Sequence, residues 1–242
     1  MIPALRHWIK QRLRGIGVDI QRLHVASDPG LQLVQAMRHF GIDLVLDVGA
    51  NRGQFAQGLR ANRYRAAIVS FEPLSSAHAA LEATAAKDPA WRVHERVALG
   101  ASDGSIVINI AGNSASSSVL EMLDLHRDAA PGTGYVGRED VPLRRLDSIA
   151  SSYMESGKRT LLKIDVQGFQ RQVFEGAADT IPTVQAILCE LSLAPLYKGE
   201  ELWRETTDSL HREGFILWSV FPGFVTPRDG RSLQMDALFV RE

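Results

Sequence analysis

The sequence predicts an α/β protein built on a mostly parallel sheet, and two patterns carry that prediction. From residue 41 onward, short runs rich in Val, Ile and Leu alternate with longer stretches of helical period. Several of these runs close on an acid and are followed by a turn, as strands do at the ligand edge of an open sheet. The clearest case is Leu44-Val45-Leu46-Asp47-Val48, which passes into Gly49-Ala50-Asn51-Arg52-Gly53 and then a helical segment.

Residues 3–16 read as a short helix, with Leu5, Trp8, Ile9, Leu13 and Ile16 near helical spacing and Arg6, Lys10, Arg12 and Arg14 around them. Packing on the main domain, or on the second subunit of a homodimer, is the plainer reading. Peripheral contact with an anionic membrane or a lipid-linked substrate is the functional one. A second helix over 28–40 starts at an Asp28-Pro29 cap and stops at Gly41. Residues 1–40 are thus expected as a helical extension and 41–242 as the main domain. Strands are expected at Leu44–Val48, Ala67–Glu72, Arg92–Val97, Ser105–Ile110, Leu161–Asp165 and Ala186–Leu191. Helices are expected at Gln54–Asn62, Ser76–Lys87, Phe169–Ala177 and Leu202–Glu213. Phe215–Val220 and Gln234–Val240 read as an antiparallel pair closing the sheet edge. Gly112 to Gly137 is the least regular stretch, which suits a functional loop.

Composition narrows the function classes. A formal charge of -1, with 23% charged residues, gives no electrostatic case for nucleic acid as a partner. Cys189 is the only cysteine, so neither an intrachain disulfide nor a cysteine zinc cluster is available. No apolar run approaches a membrane span, and the charged N-terminus lacks a secretory signal. The expected location is cytoplasmic, at the inner face of the membrane if the first helix meets lipid.

Gly49 and Gly53 are spaced Gly-x-x-x-Gly, not the Gly-x-Gly-x-x-Gly of dinucleotide sites. This disfavours a nucleotide-dependent oxidoreductase and favours a nucleoside without pyrophosphate, S-adenosylmethionine first. Gly49, Ala50, Asn51 and Gly53 would wall the ligand, with a Cβ at Gly49 colliding with it or forbidding the turn. Asp47 is placed to accept from a methionine ammonium, directly or through water. Glu72, followed by Pro73 and 25 positions after Asp47, is placed to accept from both ribose hydroxyls. In Leu161-Leu162-Lys163-Ile164-Asp165, Lys163 and Asp165 share a face, and a buried lysine there requires a carboxylate. Lys163 is catalytic support or an ion-pair member; Glu190, ending the next strand, orients the acceptor or pairs with Lys163.

The ordered set Asp-Val-Gly-Ala-Asn-x-Gly (47–53), Phe-Glu-Pro (71–73), Ala-Leu-Gly (98–100), Leu-Asp-Ser-Ile (146–149), Leu-Lys-Ile-Asp-Val-Gln-Gly (162–168) and Glu190 resembles the FkbM family of methyltransferases. The resemblance spans roughly residues 41 to 240. It implies a class I, Rossmann-like fold: a mostly parallel seven-stranded sheet with an antiparallel closing strand and helices on both faces. It also implies S-adenosylmethionine as donor and O-methylation of a sugar or polyketide hydroxyl, as in relatives that methylate mycobacterial glycolipids. Where the family commonly has Asp-Val-Glu-Gly-x-Glu, this chain has Asp165-Val166-Gln167-Gly168-Phe169-Gln170. Two acids have become amides, which argues against a metal there and raises a catalytically silent nucleoside-binding module as the alternative.

Methylating an alcohol requires a base as the new bond forms. Asp165 is the first candidate and Glu190 the second; His94 and His126 are lesser ones. A divalent metal held by Asp165, Glu190 and Asp147 is a minority expectation, since their spacing is not that of a tight ligand set. Ser114 to Ser118, Tyr135, Tyr197, Trp203 and Phe221–Phe224 are candidates for the acceptor wall, although the serine run reads more as a flexible loop.

Overall fold

The computed structural model describes residues 3–19 and 23–242. Helix α1 (Pro3–Arg14) precedes α2 (Pro29–His39), whose N-cap Asp28 accepts from the Leu31 amide at 2.7 Å. The core follows as β1 (Ile42–Val48), α3 (Gln54–Ala61), β2 (Ala67–Phe71), α4 (Ser75–Ala85) and β3 (Trp91–Val93). Next come β4 (Ala98–Leu99), β5 (Gly104–Ala111), α5 (Asp124–Ala129) and β6 (Tyr135–Arg144). The chain closes with β7 (Arg159–Ile164), α6 (Gln170–Glu175), β8 (Ala186–Ser192), α7 (Trp203–Arg212), β9 (Ile216–Pro222) and β10 (Gln234–Val240).

Among the described residues the main sheet has seven strands in the order β3-β2-β1-β7-β8-β10-β9. The first five are parallel, and β10 runs against both β8 and β9. This is the predicted class I arrangement. Val45, Leu161 and Leu188 pack toward α2, α3 and α4 on one face. Leu46, Leu162 and Ile187 pack toward α6 and α7 on the other. Strands buried on both faces read as continuous apolar runs, which is why their positions were evident from sequence.

Two regions differ from expectation. Residues 92–97 do not continue as one strand: β3 stops at Val93, and Arg96 turns away to Glu139 and the Pro73 carbonyl. Ala98–Leu99 then joins a second, three-stranded sheet in the order β4-β6-β5. That sheet packs Ile108, Val141 and Leu143 against Leu74, the N-cap of α4, and Ala77 within the helix. Trp8 of α1 and Ile16 just after it are 55% and 74% exposed, so these side chains do not pack on the main domain. The side chains of Leu5 and Arg6 lie outside the described residues. No helix among the described residues is long and apolar enough to cross a membrane.

Candidate active site

Register across the sheet brings the predicted acids together. Asp47 of β1 stands opposite Lys163 of β7, while Glu190 of β8 stands opposite Asp236 of β10. All four fall on the α2–α3 side of the sheet at its carboxyl edge. Asp165 follows β7 directly.

Lys163 Nζ lies 3.2 Å from Asp47 Oδ1 and 3.6 Å from Asp165 Oδ2, and donates to the Gly49 carbonyl at 3.1 Å. Burial acts to lower its pKa, but the Asp47 and Asp165 charges outweigh burial and hold it above the ordinary lysine range. Asp47 has no exposed surface, also accepts from the Ser70 hydroxyl at 3.1 Å, and lines neither cavity at the sheet edge. Asp47 is thus engaged by Lys163 and Ser70 and does not itself line the cavities where a methionine ammonium is expected to meet it. Glu190 does not pair with Lys163 either, being bound by Gln167.

The turn after β1 is held by backbone. Gly49 has φ +76°, and a Cβ there would lie 1.8 Å from the Asp165 carbonyl oxygen, so a side chain at this position would forbid the turn. The Gly49 and Ala50 amides both donate to the Phe71 carbonyl. Gly53 lines neither cavity; its φ of +86° and close approach to the Trp91 ring make it a packing position. Asn51, at φ +49°, gives its amide to Glu72 Oε2 at 2.8 Å, and its side chain accepts from Ser114.

One cavity of about 710 Å³, its open mouth included, runs from Gly49 and Asn51 past Glu72 and Pro73 to Val97, Leu99 and Ile108. Such a volume suits a nucleoside-sized ligand. Glu72 accepts one amide on each oxygen, from Asn51 and Leu74, which leaves one lone pair on each for a diol. Burial pushes its pKa up to about 7, against two favourable backbone bonds. The predicted ribose acceptor thus faces a cavity with apolar walls for a base, and the residues fit adenosine. Ser114, Ala115, Ser117 and Ser118 line the same cavity. This corrects the loop reading: Ser114–Ser116 form a 3-10 turn, tied down by Ser114 to Asn51 and by Ser118 to the Gln167 carbonyl at 2.6 Å.

A second cavity, about 1020 Å³ with its mouth, is lined by Pro29 and Leu33 of α2, Phe55, Lys163, Glu190, Asp236 and the Phe221–Pro222 end of β9. Gly49, Asn51, Ala115 and Asp165 belong to both cavities. Asp165 keeps 37% of its side chain exposed at this junction. Burial, with Asp165 and Asp236 nearby, pushes Glu190 well above the carboxylate range. Burial likewise pushes Asp236 up to about 6. Asp236 was not singled out in the sequence; an acid inside the apolar run Met235–Val240 was the available signal.

His94 packs edge-on against Phe71 and Tyr153, and its backbone pairs with Ser70, so it serves the core. His126 is 3% exposed and bonds Tyr197 at 3.3 Å rather than facing a cavity. Tyr197 is buried, Tyr135 bonds the Leu120 carbonyl and Trp203 packs on the core, so of the proposed acceptor aromatics only Phe221 lines a cavity. Asp147 accepts from the Asp179 and Thr180 amides and pairs with Arg145. Among the described residues, no group of three or more His, Cys, Asp or Glu is arranged to hold a metal ion.

A family model described as the methyltransferase FkbM domain matches residues 47–217. No curated protein matches the chain. Similar solved structures include magnesium protoporphyrin IX methyltransferase from Synechocystis with S-adenosylmethionine bound, at 13% identity and a TM-score of 0.46, covering 99% of this chain and 96% of that one. Another is a TehB-like S-adenosylmethionine-dependent methyltransferase from Corynebacterium glutamicum, at 12% identity and a TM-score of 0.42, covering all of both chains.

Proposed function

The chain belongs to the FkbM methyltransferase family, and from that premise we propose that it methylates a hydroxyl oxygen of a sugar, in a glycolipid or another secondary metabolite. S-adenosylmethionine is its cofactor and supplies an electrophilic methyl group on a sulfonium. Glu72 would hold the ribose hydroxyls, with Val97, Leu99 and Ile108 beside the base. The observation that carries the oxygen assignment is the position of Asp165, a partly exposed carboxylate on the wall shared by the two cavities. A hydroxyl entering from the second cavity would meet it there and give up its proton as the new bond forms. Phe55 and Phe221 offer apolar faces to a sugar ring, while Glu190 and Asp236 can bond its hydroxyls.

The test is transfer of labelled methyl from S-adenosylmethionine to sugars and glycolipid extracts, with amine and thiol acceptors in parallel. Label is expected in an ether, and label confined to amines would overturn the oxygen assignment. Asp165→Asn should reduce turnover by about 100-fold or more while cofactor affinity stays near native. Native turnover in that variant would remove Asp165 as the base.

A further inference from the structure

Gln167 occupies a costly backbone conformation, φ +51° for a residue with a full side chain. Its side chain has a defined use. Nε2 donates to Asp165 Oδ1 and to Glu190 Oε2, both at 2.9 Å, so one amide bridges two carboxylates. Oε1 accepts from the Tyr197 hydroxyl at 2.8 Å. An amide can be turned end for end; with the nitrogen toward the two carboxyl groups, the oxygen is left to accept from Tyr197. Tyr197 is itself buried, and His126 Nε2 lies 3.3 Å from its hydroxyl oxygen. The Tyr197 hydroxyl also lies 3.3 Å from the Ser116 carbonyl, but its shorter bond is to Gln167; with Nε2 protonated the donors then run from His126 to Tyr197, Tyr197 to Gln167 and Gln167 to the two carboxyl groups.

We infer that Gln167 is a positioning residue, which, oriented by Tyr197, fixes the Asp165 carboxylate at the junction of the two cavities. The inference rests on Asp165 being the proton acceptor. Two carboxyl groups at hydrogen-bond distance from one amide nitrogen would otherwise be free to rotate; the shared donor selects one rotamer for each. The charged groups facing Asp165 are Lys163 of the same strand, Asp47 of β1, Glu190 of β8 and Asp236 of β10. Lys163 alone is cationic, and it is shared between Asp47 at 3.2 Å and the other oxygen of Asp165 at 3.6 Å. Gln167 therefore supplies the close neutral donor shared by Asp165 and Glu190.

The test compares Gln167→Met, which keeps the length and removes both polar atoms, with Tyr197→Phe, which removes only the orienting hydroxyl. For each, kcat, KM for S-adenosylmethionine and the pH profile of kcat are measured, and calorimetry with S-adenosylhomocysteine reports whether the site is folded. In Gln167→Met, kcat should fall about tenfold or more with nucleoside affinity unchanged, and the acidic limb should move up by about one pH unit. Tyr197→Phe should move the limb in the same direction by less. A Gln167→Met profile superimposable on the native one, with Asp165→Asn inactive, would overturn the positioning role alone. Loss of S-adenosylhomocysteine binding in Gln167→Met would also overturn it, assigning the residue to fold maintenance. Native turnover in Asp165→Asn would instead remove the base assignment, and this inference with it.

Discussion

Lys163→Met isolates the energetics beneath the site. The substitution keeps the stem and removes an ammonium that lies 3.2 Å from Asp47 and donates to the Gly49 carbonyl at 3.1 Å. Asp47 has no exposed surface, and its remaining partner is the Ser70 hydroxyl. Removing one member of a buried pair costs about 3–5 kcal/mol, because the other charge stays unmatched. Against the roughly 5–15 kcal/mol that holds a typical domain, this is a large fraction. Urea unfolding at neutral pH measures it, with Trp91 as a local reporter, since its indole donates to the same Ser70. The double variant Asp47→Asn/Lys163→Met should recover part of the loss, with a coupling energy of about 1–3 kcal/mol. Because the pair raises the folded-state pKa of Lys163, its contribution is complete below the ordinary value of 10.5 and fades only as pH climbs beyond it. A loss below about 1 kcal/mol at unchanged m-value would refute the reasoning, since it would mean that Asp47 finds water or a new partner.

Glu72→Gln should weaken S-adenosylhomocysteine binding by roughly 10- to 100-fold by calorimetry, the equivalent of one charge-assisted bond, before any fall in kcat. With its pKa pushed up to about 7, Glu72 binds a proton in the folded protein that the unfolded chain has already released. Its contribution to unliganded stability is therefore lost as pH rises from 4.5 to about 7, while ligand affinity rises over the same window. Melting curves with and without S-adenosylhomocysteine should show a larger ligand-induced shift on the alkaline side. Gly49→Ala should cost roughly 3 kcal/mol or more, since its Cβ meets the Asp165 carbonyl. Gly199→Ala, with a similar φ of +78° and open space, should cost only about 1–2 kcal/mol, and chemical denaturation of the two variants separates collision from conformational strain.

The central strands were legible because burial on both faces leaves an unbroken apolar run, and an acid at the end of such a run has few places to go. Glu72 and Asp165 stand at such run ends, and both line a cavity. The partner of Lys163 was not, because choosing among Asp47, Asp165 and Glu190 depends on inter-strand register, which no local pattern encodes. Strand β6 was missed for a different reason. Gly137, Arg138, Glu139 and Asp140 give it a polar surface, and only Val141 and Leu143 are buried at alternate positions. Gln167 looked like a lost acid. Its value comes from Asp165, Glu190 and Tyr197 converging from three separate segments.

The 1.8 Å that separates a Gly49 Cβ from the Asp165 carbonyl also bears on how this protein can diversify. At the centre of the site two backbone segments approach so closely that position 49 has no room for a side chain. The outer walls of the second cavity come instead from α2 and the β9 end, and the serine turn closes the first. Drift at those peripheral positions can retune acceptor choice while the donor grip is inherited intact.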